Sequence, residues 1–130
     1  MTTRRLGSGA PWEAVVGYSR VVGTADTAWV SGTTATVDGV VVHPGDAAAQ
    51  TRVALTTVVQ ALADAGFALA DVVRTRVYVT DISRWEEVGR VHGEFFGDVR
   101  PATTMVQVAA LIDPAMLVEI EADAVRGVGA

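Results

Sequence analysis

The chain contains no cysteine and no lysine. The first absence excludes disulfides, thiol nucleophiles and thiolate metal sites. The second excludes lysine Schiff-base chemistry, since all ten cations are arginines. Charged residues make up only 19% and aromatics 6%, whereas 50% of the chain is hydrophobic and its mean hydropathy is +0.34. A lone 130-residue domain has difficulty hiding that much apolar surface, so a permanent oligomer is expected. No run of about 18 apolar residues is present to span a bilayer, and Met1 to Ser8 lacks the apolar core of a signal peptide. The expectation is a cytoplasmic protein with no membrane partner. A net charge of −5 and a pI near 4.8 disfavour nonspecific phosphate binding, so nucleic acid is not expected as a partner. Only two histidines occur, His43 and His92, and neither has a second ligand at metal-binding spacing. No glycine-rich phosphate loop follows a strand, so the expected cofactor and metal content is none.

What is present is concentrated in the last third. Arg100-Pro101-Ala102-Thr103-Thr104-Met105-Val106-Gln107-Val108 and Leu117 to Val125 both alternate with period two, as half-buried strands do. In the second, Val118, Ile120, Ala122 and Ala124 oppose Glu119, Glu121 and Asp123. Three carboxylates on one strand face must line water, a cleft or a partner. Strand signals also cover Tyr18–Val22, Thr27–Gly32, Thr33–Val37, Val40–Val42 and Val72–Thr80. Asp38-Gly39 predicts a type I′ hairpin turn. A helix is expected from Ala47 to Ala65, capped by Asp46, with Leu55, Val58, Val59 and Leu62 as its buried stripe and Gly66 past its end. Ser83 and Glu86 form a candidate capping box for a second helix, with Trp85, Val88, His92, Phe95 and Phe96 on one face. Both helices should cover one face of a mixed sheet. The other face is expected to carry Thr103, Met105, Gln107 and Ala109 beside Arg74, Arg76 and Tyr78, a composition that suits a subunit interface. Arg74 and Arg76 are expected to meet acids of a neighbouring subunit.

The two C-terminal segments resemble the Rid family (reactive intermediate deaminases, also called the YjgF or L-PSP endoribonuclease family), which usually reads Pro-Ala-Arg-Ser and Val-Glu-Ile-Glu there. Gly17-Tyr18, Trp29-Val30-Ser31-Gly32, Ala48 to Arg52, Val77 to Asp81 and Trp85 to Phe96 extend the resemblance to nearly the whole chain. It implies an α+β fold of the chorismate-mutase-like kind. One domain over 1–130 would hold a six-stranded mixed sheet with two helices on one face. Three copies would assemble around a central β-barrel, with clefts between neighbours walled by Glu119 of one protomer and the Tyr18 hydroxyl of the next. The implied activity is hydrolysis of an imine, enamine or related small molecule, with Glu119 positioning the water. Tyr18, Ser31 and Gly32 would contact substrate.

Three positions depart from the family pattern. Thr103 stands where family deaminases carry the arginine that grips a carboxylate in a two-pronged contact. A neutral hydroxyl contributes about 1 kcal/mol per hydrogen bond against about 1.5–3 for a charged donor. Affinity for iminoacids should therefore fall by several powers of ten. Met105 replaces a small residue and Gly89 an asparagine, so a different substrate is expected. Arg100 is the candidate substitute cation, but its strand parity brings it inward only if the loop bends. The alternative reading is a noncatalytic ligand-binding or regulatory homotrimer that retains the cleft.

Overall fold

The computed structural model describes residues 2–127; Met1 and residues 128–130 of the expected domain lie outside the described residues. In chain order these form β1 (Arg4–Leu6), β2 (Val21–Gly23), β3 (Thr27–Thr33), β4 (Thr36–Val37), β5 (Val40–Val41) and helix α1 (Ala47–Asp64). Strand β6 (Val72–Val79), helix α2 (Trp85–Phe96), β7 (Ala102–Gln107) and β8 (Val118–Val125) follow. Six strands make one sheet in the order β1-β2-β3-β8-β6-β7, and β4 pairs with β5 separately. Only β6 and β7 run parallel, joined by α2 as their crossover, so the sheet is mixed. The α+β architecture expected from the sequence is the one observed.

Helix α1 packs on β3, β8 and α2, and its Leu55, Val58 and Leu62 are fully buried. Asp46 caps it, accepting from the Ala49 amide at 3.0 Å, and Gly66 follows its end at φ +87°. Asp38 and Gly39 both hold positive φ, as a type I′ turn requires. On β8, Val118, Ile120, Ala122 and Ala124 are each 0% exposed. A fully buried aliphatic side chain of this kind contributes about 1.5–3 kcal/mol relative to exposure. A one-residue slip would exchange them for three carboxylates, so the register of β8 is firmly held.

Several expectations need correction. Ahead of the Tyr18–Val22 strand signal, Glu13–Gly17 forms a short helical turn. Strand β2 begins only at Val21, leaving Tyr18 extended before it. The expected Thr33–Val37 strand is divided between the end of β3 and the two-residue β4. The capping box at Ser83 and Glu86 does not form. Asp81 accepts from the Ser83 amide at 3.0 Å, a 3-10 turn over Ile82–Arg84 follows, and α2 starts at Trp85. Glu86 instead pairs with Arg90. Trp85 is 54% exposed and leaves the apolar face that Val88, Val91 and Phe96 share.

The largest correction concerns β7. In its parallel register with β6, Thr103 lies beside Thr75, Met105 beside Val77 and Gln107 beside Val79. Thr75, Val77 and Val79 are buried on the helix side, so Thr103, Met105 and Gln107 belong to that side too. Met105 packs on the core. Ala102, Thr104 and Val106 share the uncovered face with Arg74, Arg76 and Tyr78, and Ala109 lies past the strand's end. Arg76 also finds its acids within its own chain, Asp123 at 3.2 Å and Glu121 at 3.5 Å.

Candidate functional site

Between Val30 and Thr33, strand β3 gains a residue against β8. The resulting bulge contains Ser31 and Gly32, and such a step re-aims neighbouring groups and leaves carbonyls without ladder partners. A buried guanidinium meets them. Arg20 Nη1 donates to Gly32 O at 2.6 Å, to the Thr33 hydroxyl at 2.9 Å and to Ser31 O at 3.4 Å. Ser31 Oγ donates back to Ser19 O at 2.6 Å, tying the segment that carries Tyr18 to β3. Gly17, at φ +88°, lets the chain turn out of the Glu13–Gly17 helix and sets the direction of Tyr18. Arg20 Nη2 reaches the Tyr18 hydroxyl at 3.4 Å.

Glu119 projects from β8 onto this bulge. A Cβ built on Gly32 would stand 2.9 Å from its carboxyl carbon and closer still to one oxygen, so a side chain there would displace the Glu119 carboxyl from its present place. Burial, reinforced by the Glu121 charge and opposed by that of Arg20, holds the Glu119 carboxyl above the usual carboxylate range. The flanking acids are committed elsewhere. Tyr78 donates to Glu121 at 3.0 Å, and Arg76 holds Asp123. Burial and that contact raise the Tyr78 phenol. Gln50, fully buried on α1, positions the approach to β8. It donates to Ala115 O at 2.9 Å and accepts from the Leu117 amide at 2.9 Å.

An open cleft of about 800 Å³ results, with Tyr18, Arg20, Ser31, Gly32 and Glu119 in its wall and Trp12 at its margin. Four of the sequence candidates are therefore brought together in a single chain. Tyr18 and Glu119 both line this one chain's cleft.

Gly89, Thr103 and Met105 are absent from this cleft. Thr103 Oγ1 lies 2.8 Å from Thr75 Oγ1, which lies 2.8 Å from His92 Nε2. His92 stacks on Phe96 with ring centroids 4.6 Å apart, and burial lowers its pKa. His92 thus occupies a satisfied, half-buried position. Gly89 is half-buried on α2, where a Cβ would meet the Trp85 ring at an ordinary 3.7 Å. Arg100 is exposed at φ +55°, its Nε donating to Gly97 O at 3.1 Å across the end of α2. Sequence reasoning missed Arg20. Its signal was parity, because it lies two residues beyond Tyr18 and opposite the Ser31-Gly32 strand end. Among the described residues, no group of three or more His, Cys, Asp or Glu could hold a metal ion, and no helix is long and apolar enough to cross a membrane.

The family model named Endoribonuclease L-PSP matches residues 8–126. The chain belongs to this family, known structurally as the YjgF family. Rv2704 of Mycobacterium tuberculosis, a member of the YjgF/YER057c/UK114 family, superposes with a TM-score of 0.87 at 54% identity, covering 95% of this chain and 99% of that one. The uncharacterized protein SCO2049 of Streptomyces coelicolor is 42% identical over 95% of this chain and 92% of its own length. The 3-aminoacrylate deaminase RutC of Acinetobacter baylyi is 42% identical over 62% of this chain and 63% of its own. Against the family pattern, the position of the missing arginine lies on edge strand β7, outside the Glu119 cleft of the same chain.

Proposed function

We propose that this YjgF-family protein is a Rid-type hydrolase acting on a small imine or enamine. The observation that carries the reading is the Glu119 carboxyl, half-buried against the Gly32 bulge with its pKa raised, in a cleft lined by Tyr18 and Arg20. A carboxyl whose pKa is raised holds and passes a proton at higher pH than an ordinary glutamate. The imine reacts as its N-protonated iminium. Glu119 takes a proton from water as the oxygen bonds to the C=N carbon, and the C=N electron pair moves to nitrogen, giving a neutral carbinolamine. Glu119 then returns its proton to that nitrogen, the C–N bond breaks to release ammonia, and Glu119 takes the hydroxyl proton as the carbonyl forms and passes it to the departing ammonia as ammonium. An enamine first gains a proton at carbon to become the same iminium. Similarity to the deaminase RutC supports the reaction class. The structural likeness of Escherichia coli TdcF, solved with bound serine (28% identity, TM-score 0.78), supports a ligand of amino-acid size.

In this proposal three copies associate through the uncovered sheet face. A neighbour's β7 edge, with Thr103 and Met105, then closes the cleft against Glu119. The test is imine hydrolysis by wild type and Glu119→Ala across a panel of imines. General acid–base catalysis contributes roughly 10²–10⁴-fold, so the variant should lose about that factor. Wild-type rates equal to the uncatalysed ones throughout would end the hydrolase reading.

One observation favours a second reading. Thr103 is engaged with Thr75 and Pro101 O, and β7 carries no cation. A noncatalytic ligand-binding trimer would bind small molecules without turnover, whether or not Glu119 is present. Ribonuclease activity, which the family model's name invokes, is disfavoured by the pI near 4.8 and by the lack of paired histidines.

A further inference from the structure

We propose that Arg20 is the cation through which the cleft recognises an anionic, carboxylate-like group on its substrate, in place of the arginine missing at position 103. The inference rests on the hydrolase reading only for the location of the C=N carbon at Glu119.

The Glu13 and Glu119 carboxylates feel the Arg20 charge without pairing with it, although Arg20 is only 9% exposed. Its Nη1 is occupied by neutral oxygens of the bulge, and among the described residues no Arg20 nitrogen lies within 4.0 Å of a carboxylate. Buried charges are usually paired, so an unmatched guanidinium in a cleft wall is a vacancy for an anion. Two of its nitrogens can serve one. Nη2 meets only the Tyr18 hydroxyl, at a long 3.4 Å, and Nε has no hydrogen-bond partner among the described residues. Nε is not sealed off, because among the described residues no solvent-inaccessible side-chain nitrogen lacks a partner. In accepting from Nη2, the Tyr18 oxygen keeps its own proton free to donate. Nε, Nη2 and the phenol thus offer donors around one point, an arrangement suited to the two oxygens of a carboxylate.

Glu119 stands in the same wall, near enough to feel the Arg20 charge but not paired with it. The cleft therefore presents a positive pole and a negative pole with space between them. A substrate with a carboxylate at one end and a nitrogen that becomes an iminium at the other matches both. Such a substrate needs no arginine on β7.

The test is calorimetric titration of the intact protein with benzoate and its neutral isostere benzamide, neither of which turns over. Wild type should prefer benzoate by about tenfold, the worth of one charge-assisted pair of hydrogen bonds over a neutral pair. Glu119→Gln, which removes a repelling charge, should widen that preference, and Arg90→Gln, on the exposed side of α2 outside the cleft, should leave it in place. Arg20→Gln should weaken benzoate about tenfold more than benzamide, with circular dichroism reporting its fold. If Arg20→Gln does not fold, the wild-type preference and its response to Glu119→Gln decide. Equal binding of the two probes by wild type, undetectable benzoate binding, or a preference that survives in folded Arg20→Gln would overturn the proposal. Benzoate preference without hydrolysis of any imine would sink only the hydrolase reading. Glu119-dependent hydrolysis without benzoate preference would sink only this one.

Discussion

The contact between Gly32 and Glu119 makes the smallest substitution in the cleft among the most informative. Gly32→Ala places a methyl group where the carboxyl now lies, so either β3 or Glu119 must move. We expect a loss of about 1–3 kcal/mol, the usual cost of overpacking, and much of it should vanish in the Gly32→Ala/Glu119→Ala double variant. Denaturant titrations of the four proteins would measure that coupling. Titration of Glu119 should also govern activity. Because its pKa is raised and it must be ionised to act as a base, hydrolysis should rise with pH along a limb above that of an ordinary glutamate. Removing the Glu121 charge should shift the limb down, and removing that of Arg20 should shift it up. Stability runs the other way. The native state holds this proton more tightly than the unfolded chain does. Glu119's contribution is therefore fully present below the ordinary glutamate pKa and declines as pH rises through the folded value. At the second wall, Thr103→Arg should confer or increase iminoacid hydrolysis if a neighbour's β7 does close the cleft. An unchanged rate would place β7 outside the site.

Among the elements, α2 and β8 show how local signals succeed or slip. The start of α2 was legible to within two residues, but Ser83 does not cap it. Arg84 stands at its N-cap position without a side-chain bond, and Asp81 instead caps the 3-10 turn that leads into it. The Ser83 contacts hold the Asp81 carboxyl below the usual range. The cap therefore stabilises above the ordinary aspartate pKa and fades as pH falls through its lowered value. Asp81→Ala should reduce the melting temperature more than Glu86→Ala at neutral pH, and the reverse order would restore the original capping assignment. On β8 the alternation of buried aliphatics and acids was readable in full, because period two is a property of the strand itself. The anchoring of its approach was not, since Gln50 and Ala115 are 65 residues apart in sequence. Gln50→Leu leaves the Leu117 amide and Ala115 carbonyl without their partner. It should cost about 1–3 kcal/mol, visible as a lower denaturation midpoint with an unchanged slope.

At the scale of the whole molecule, the sheet face opposite the helices carries exposed Trp29, Val106 and Val125 among the ion-paired residues of β6 and β8. Such a face, with the high apolar content, calls for a partner. Sedimentation should give three times the 13.6 kDa chain mass. Trp29→Arg should shift the protein toward monomer and lower hydrolysis in proportion. A well-folded monomer of wild type at micromolar concentration would remove the closed cleft from the proposal. Trp29 lies on that face because it pairs with Asp123 of β8, whereas strand alternation did not allocate β7 correctly. Thr103-Thr104-Met105-Val106-Gln107 is mixed on both parities, so its pattern carries no preference for either side.

The sequence by itself determined the two long helices and the main strands of the sheet, where the hairpin turns, which side of β8 bears carboxylates, and that neither thiol nor lysine chemistry is available. These depend on dihedral preferences and on periodicities spanning a few residues. Only the tertiary structure decided that Arg20 underlies the Ser31-Gly32 bulge, that Tyr18 and Glu119 share one chain's cleft, and that Thr103 is bonded to Thr75 on the helix side. Each of those depends on the register between strands distant in the chain, and register is set by burying the whole apolar face of the sheet at once.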